Sequence, residues 1–137
     1  MRIESIENKG RRFGYVVRGH LDEQGRKFPG PNEDFMQVGY LNLKKSEWVT
    51  PHRHKECARS ISKTQKVVYV VSGKVRLHFY EDRKKVREIE LEPGDLAVLI
   101  SGGFGFESLA DKTKIIEIKQ GPYLDVEHDK EKFEPIE

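Results

Sequence analysis

From residue 36 onward the chain alternates apolar and polar side chains, or runs apolar in short stretches rich in β-branched and aromatic residues. No apolar stripe at helical spacing lasts longer than two turns. Such a pattern cannot supply the faces of a helical bundle, and it restricts the chain to an all-β fold. The clearest segments are residues 36–43, 67–71, 75–80, 86–91, 96–100, 104–109 and 115–119. They recur at the spacing of a sandwich or barrel rather than of βαβ units. Between them stand turn sequences: Ser72-Gly73-Lys74, the polar run Glu81-Asp82-Arg83-Lys84-Lys85, and Pro93-Gly94-Asp95. In the last, Pro presets φ and Gly is free to take positive φ. Residues 22–34, holding Gly25, Pro29, Gly30 and Pro31, read as a loop or flap. The charged residues 125–137 support no more than one short helical turn.

A chain of 137 residues with 36% hydrophobic content fits one domain with one core. Lys and Arg number 25 against 23 Asp and Glu, a formal net charge of +2. There is no strong field for nucleic acid or an anionic membrane, so partners must be argued from a site. The start, Met1-Arg2-Ile3-Glu4-Ser5, lacks the apolar run of a secretory signal, and no stretch approaches the roughly 20 apolar residues that span a bilayer. The expectation is a soluble cytoplasmic protein that uses neither nucleic acid nor membrane. Cys57 is the only cysteine, which rules out an intrachain disulfide and a thiolate metal cage. A half-buried free thiol is expected there.

Against this background, His52 and His54 in Thr50-Pro51-His52-Arg53-His54-Lys55-Glu56 name a site. Alternate residues of a strand project from one face, with Cα atoms about 6.6 Å apart, so two imidazoles can converge on one ion or substrate. His78 alternates with Val75, Leu77 and Phe79 and is expected to point outward into solvent; His20 and His128 lie in charged, loop-like surroundings. Trp48 is expected in the core or an interface. The runs Arg83-Lys84-Lys85 and Asp129-Lys130-Glu131-Lys132 are expected as solvated turns.

Taken in order, Pro51-His52-Arg53-His54, then Val67-Val68-Tyr69-Val70-Val71-Ser72-Gly73-Lys74-Val75, then Glu92-Pro93-Gly94-Asp95-Leu96 leading into Gly102-Gly103-Phe104-Gly105-Phe106, resemble the two motifs of the cupin superfamily. The resemblance covers roughly residues 36–119, most of the chain. It implies an all-β, single-domain cupin double-stranded β-helix, a jelly-roll barrel, with a metal or substrate site inside and a dimeric assembly. On that reading residues 1–35 supply N-terminal strands and a loop packing on the barrel, 36–123 the cupin barrel, and 124–137 a charged C-terminal tail. The stretch from Arg59 to Gln65, the turn Gly102 to Glu107, and Lys119-Gln120-Gly121-Pro122-Tyr123 are similar to small single-domain cupins found among surface-polysaccharide biosynthesis proteins.

A metal-binding cupin draws two His and a Glu from the first motif and a third His from the second. Counting back seven residues from Gly73, the Glu position holds Lys66, and the His position falls at Phe104 or Gly105. An ammonium thus replaces the carboxylate that would neutralise a divalent ion. At 4 Å two unit charges interact by about 4 kcal/mol at an effective dielectric near 20. Two neutral imidazoles do not supply the three protein ligands that a catalytic zinc or non-haem iron normally takes. The site is expected to be a degenerate metal site needing no cofactor, with His52 and His54 as metal ligands in the alternative reading of a metal-dependent cupin enzyme.

Without metal, His52, His54 and Lys66 are the candidate catalytic groups. Desolvation and like-charge neighbours would disfavour a protonated Lys66 and make it a base, a Schiff-base amine or an anion anchor. The resemblance extends to metal-free sugar-nucleotide isomerases and epimerases, where His moves protons beside a keto carbon. Arg59, Tyr69, Phe104, Phe106, Glu107 and Tyr123 are the candidate ligand-binding residues, the two Phe as stacking faces for a sugar ring or base. The expected partners are a carbohydrate-related small molecule and a second copy of the chain. Enzyme and silent accessory or binding protein remain alternatives at this point.

Overall fold

The computed structural model describes residues 1–136. The regular secondary structure is nearly all β, in antiparallel sheets. β1 (Ile3–Asn8) and β2 (Arg11–Val17) form a hairpin through Lys9 and Gly10, which both take positive φ (48° and 79°). That pair of positive φ values matches the right-handed twist of the flanking strands. β3 (Gly25–Lys27) and β4 (Tyr40–Asn42) make a separate two-stranded ribbon. β5 (Lys66–Ser72), β8 (Leu96–Leu99) and β10 (Lys114–Lys119) join the hairpin in a five-stranded sheet ordered β1-β2-β8-β5-β10. β6 (Val75–Glu81), β7 (Lys84–Leu91) and β9 (Gly103–Ser108) make a three-stranded sheet ordered β7-β6-β9. α1 (Val126–Asp129) is the single helical turn expected of the tail.

The core lies between the two larger sheets. Ile6, Phe13, Val16, Val68, Val70, Ala97 and Leu99 come from one sheet; Val75, Leu77, Phe79 and Leu91 come from the other. Phe13 and Phe79 meet edge to face across the interface, ring centroids 6.2 Å apart. Period-two alternation explains the division, for Val75, Leu77 and Phe79 are buried while Arg76, His78 and Tyr80 face out. A second, smaller cluster covers the outer face of the five-stranded sheet, where Met36, Val38 and Leu21 lie over Tyr15, Val67 and Val98.

Two turns set the topology. Gly73 (φ 80°) ends β5 and passes the chain to the opposite sheet; a Cβ there would meet Thr113 within 2.3 Å, so only Gly fits. In the turn Glu92-Pro93-Gly94-Asp95, Gly94 has φ 91°, and Asp95 N–H donates to the Glu92 carbonyl at 2.9 Å. The Asp95 carboxylate, 6% exposed, accepts from Glu92 N–H, Gly19 N–H and Arg18 Nη1 at 2.8, 2.8 and 2.9 Å.

Several expectations are corrected. Of residues 36–43 only Tyr40–Asn42 is strand. Met36 donates its N–H to the side-chain oxygen of buried Gln65 at 2.9 Å, which withdraws that end from any ladder. Trp48 is 74% exposed and Cys57 is exposed. His78 faces outward as expected but is not solvated: it lies between Glu107 (3.2 Å) and Glu88 (3.6 Å) with its side chain 15% exposed. No helix among the described residues is long and apolar enough to cross a membrane.

Candidate functional site

β1 and β7 approach each other along one side of the sandwich. On the other side β10 and β9 each end their sheet without a further strand among the described residues, and the sandwich stays open there. Lys66, first residue of β5, bridges the gap. It shares its face with buried Val68 and Val70, so its stem runs inward. Its Nζ lies 2.7 Å from Glu117 Oε1 of β10 and 5.0 and 6.0 Å from the ring centroids of Phe104 and Phe106 on β9. The two rings stack on each other at 5.8 Å with planes 19° apart. Lys66 is thus held by a carboxylate from one sheet and two π faces from the other.

Beside this contact, on the side of Lys66 and Phe104 and not of Glu117 and Phe106, lies a cleft of about 930 Å³. Lys66, Phe104, Arg11 and Lys119 line it, and the tail from His128 to Pro135 forms a further wall. Lys119, Glu117 and Ile115 share the inward face of β10 with Lys66 because Lys119 pairs Lys66 and Glu117 pairs Val68 in the ladder. Lys119 Nζ lies 2.8 Å from Asp129 Oδ2 and 5.4 Å from the Tyr123 ring centroid. The hydrogen bond raises the Lys119 pKa and lowers that of Asp129, so both groups are charged at neutral pH.

The sequence-derived residues divide into groups. Lys66, Phe104 and Phe106 come together, and Tyr123 joins their neighbourhood through Lys119. His52 and His54 stand together elsewhere, ring centroids 5.3 Å apart and edge to face. They lie in residues 43–64, which are exposed throughout and have no strand or helix. His52 Nδ1 donates to the Thr50 carbonyl at 2.7 Å. Arg59 belongs to the same segment and reaches only the Cys57 carbonyl, at 3.4 Å. Neither His is among the residues lining the cleft. Tyr69 is on the opposite face of β5 from Lys66, 37% exposed, and Glu107 is on the outer face of its sheet with Arg76 and His78. Among the described residues no group of three or more His, Cys, Asp or Glu is placed to hold a metal ion.

Arg11, Glu117 and Lys119 escaped the sequence reading. For the two β10 residues the signal was available: the apolar run Ile115-Ile116-x-Ile118 is interrupted at Glu117 and ended by Lys119, charges on the parity of a core face. Comparison with family models, with curated proteins and with solved structures found no match for this chain.

Proposed function

We propose that this chain is a cupin-type domain that binds or acts on a carbohydrate-related ligand, of the nucleotide-sugar type, in the cleft between β9 and β10. The observation that carries the reading is Lys66 poised over stacked Phe104 and Phe106 beside Glu117. Aromatic faces take the C–H face of a sugar ring or a nucleobase. Lys66 and Lys119, which line the cleft, donate to hydroxyls or phosphate oxygens. The two sheets end at β9 and β10, and residues 43–64 form an exposed segment without strand or helix. In the jelly-roll reading that segment closes the barrel as an added strand and brings His52 and His54 to Lys66, where Nε2 of His52 acts as proton acceptor. In this reading the homodimer contact uses Tyr69, Val71, Ile116 and Ile118, an exposed apolar face beside the β10 edge. Binding is the conclusion; turnover is the further claim that the His pair would carry.

The test is calorimetric titration of UDP-glucose, with glucose as the uncharged control. Wild type binds the nucleotide-sugar, Lys66→Met weakens it about tenfold or more, and His52→Ala/His54→Ala lowers affinity with little change in melting temperature. Equal affinity of wild type and Lys66→Met would overturn the cleft as the site, and a large stability loss in the double variant would make the His pair structural.

A further inference from the structure

The residues after β10 turn back across the mouth of the cleft. From Lys119 the chain passes Gly121 and Pro122 to Tyr123 and Leu124, 62% and 70% exposed, and then makes the single turn of α1. Asp125 caps that turn, accepting from the His128 N–H at 2.8 Å. One turn is too short to be stable by itself.

Three contacts hold the segment, and their partners lie on both sides of the opening. Asp129 pairs with Lys119 on β10 at 2.8 Å. Phe133 meets Tyr80 of β6 edge to face at 5.3 Å and fills the space over Gly103 of β9, where a Cβ would come within 2.9 Å of the ring. Ile136 N–H donates to the Arg83 carbonyl at 2.9 Å and bridges Lys84. The segment therefore ties one sheet edge to the other sheet while walling the cleft that holds Lys66 and Phe104.

Chemically the first contact is the exchangeable one. Lys119 has two roles: it is the partner of Asp129, and it lines the cleft together with Arg11, Lys63, Lys66, Lys130 and Lys132. An anion that claims it removes the tie and avoids a carboxylate on the wall. The remaining contacts are the packing of Phe133 on Tyr80 and Gly103 and the bridge of Ile136 to Arg83 and Lys84, few enough to open locally without unfolding the sheets.

We propose that residues 125–136 are a ligand-displaced strap: an anionic group, phosphate or carboxylate, takes Lys119 from Asp129, and the segment swings off the cleft about residues 121–124. This inference rests on reading the cleft as a ligand site.

The experiment is amide hydrogen exchange by NMR on the full-length protein, with the Ile136 N–H reporting the strap and the Leu77 N–H, in the core, reporting global opening. Phe133→Ala speeds Ile136 exchange about tenfold, the weight of an aromatic pair near its upper value. Asp129→Asn speeds it too, and Leu77 is unchanged in both. Inorganic pyrophosphate speeds Ile136 exchange in wild type and adds nothing in Asp129→Asn. Unchanged Ile136 exchange in both variants, or a rise matched by Leu77, overturns the strap; pyrophosphate without effect overturns its displacement by anions. Calorimetry with UDP-glucose separates the two readings. Tighter binding by Phe133→Ala than by wild type supports both, and equal binding overturns the strap alone. No binding to either protein, with Ile136 still responding to pyrophosphate, removes the sugar reading and leaves the anion-displaced strap.

Discussion

Asp95→Ala should destabilise the fold by about 3–4 kcal/mol, more than its single carboxylate suggests. The side chain is 6% exposed and satisfies three donors: Arg18 Nη1, Gly19 N–H and Glu92 N–H. Truncation leaves two partly buried backbone N–H groups without an acceptor, at about 1–3 kcal/mol each. Arg18 fares better, because it keeps Glu4 at 2.9 Å and the Glu90 carbonyl at 2.7 Å. Little water can compensate on the Gly19 side, where a Cβ on Gly19 would already lie 2.8 Å from the Gly94 backbone. The damage spreads, since the Glu92–Asp95 turn also places the Asp95 carbonyl to accept from Val70 N–H at 3.0 Å, next to the central ladder. Asp95→Asn keeps one acceptor oxygen and should lose about half as much. Urea unfolding followed by far-ultraviolet circular dichroism reads the difference; fluorescence is a poor probe because Trp48, the only tryptophan, is 74% exposed. A melting temperature lower by about 10–15 °C should accompany the Ala variant. A loss under about 1 kcal/mol at unchanged m-value would show that water or Glu92 replaces the carboxylate, and the argument from unsatisfied donors would fail.

Gly102 and Gly10 both take positive φ, 81° and 79°, but a Cβ on Gly102 would lie 2.4 Å from the Phe13 ring while Gly10 has nothing within 4 Å. Gly102→Ala should cost about 2–4 kcal/mol and Gly10→Ala about 1 kcal/mol in the same unfolding assay; equal losses would mean that backbone strain alone sets both. The hydrogen bond from Arg18 holds the Glu4 carboxyl below its ordinary value. A depressed carboxylate contributes stability above its unfolded pKa and loses it as pH falls through the folded value. Stability should decline on the acid side of the ordinary carboxylate range, and Glu4→Gln should flatten that decline in a pH series of unfolding midpoints; an identical slope would detach Glu4 from it.

The sheets were legible wherever one face had to be apolar. Residues 75–80 and 86–91 read correctly as strands because a one-residue slip would have put Leu77 or Leu91 in water. Residues 36–43 carry a similar pattern but spend it differently: Met36 and Val38 cap Val67 and Val98 from outside, and a buried glutamine amide takes the place of a partner strand. Residues separated by an odd number along a strand face opposite ways, so Tyr69 turns away from Lys66, and Glu107 away from Phe104 and Phe106. The interlock of Phe133, Tyr80 and Gly103 joins residues too far apart in sequence for any local pattern to announce.

The cleft lies where the fold imposes the fewest hydrogen bonds on itself. An unpaired edge strand invites association, and β10 blunts its own with Lys114, Glu117 and Lys119. Those charges then serve twice, for Glu117 holds Lys66 and Lys119 holds the strap. β9 presents Gly103 and Gly105 instead, and the absence of a side chain at Gly103 is what admits Phe133. Protection of the edges and construction of the cleft are therefore one arrangement. A substitution such as Lys119→Met, which looks like a surface change, would act on cleft charge, strap docking and edge protection together, and its effects should not be apportioned without the double variant with Asp129.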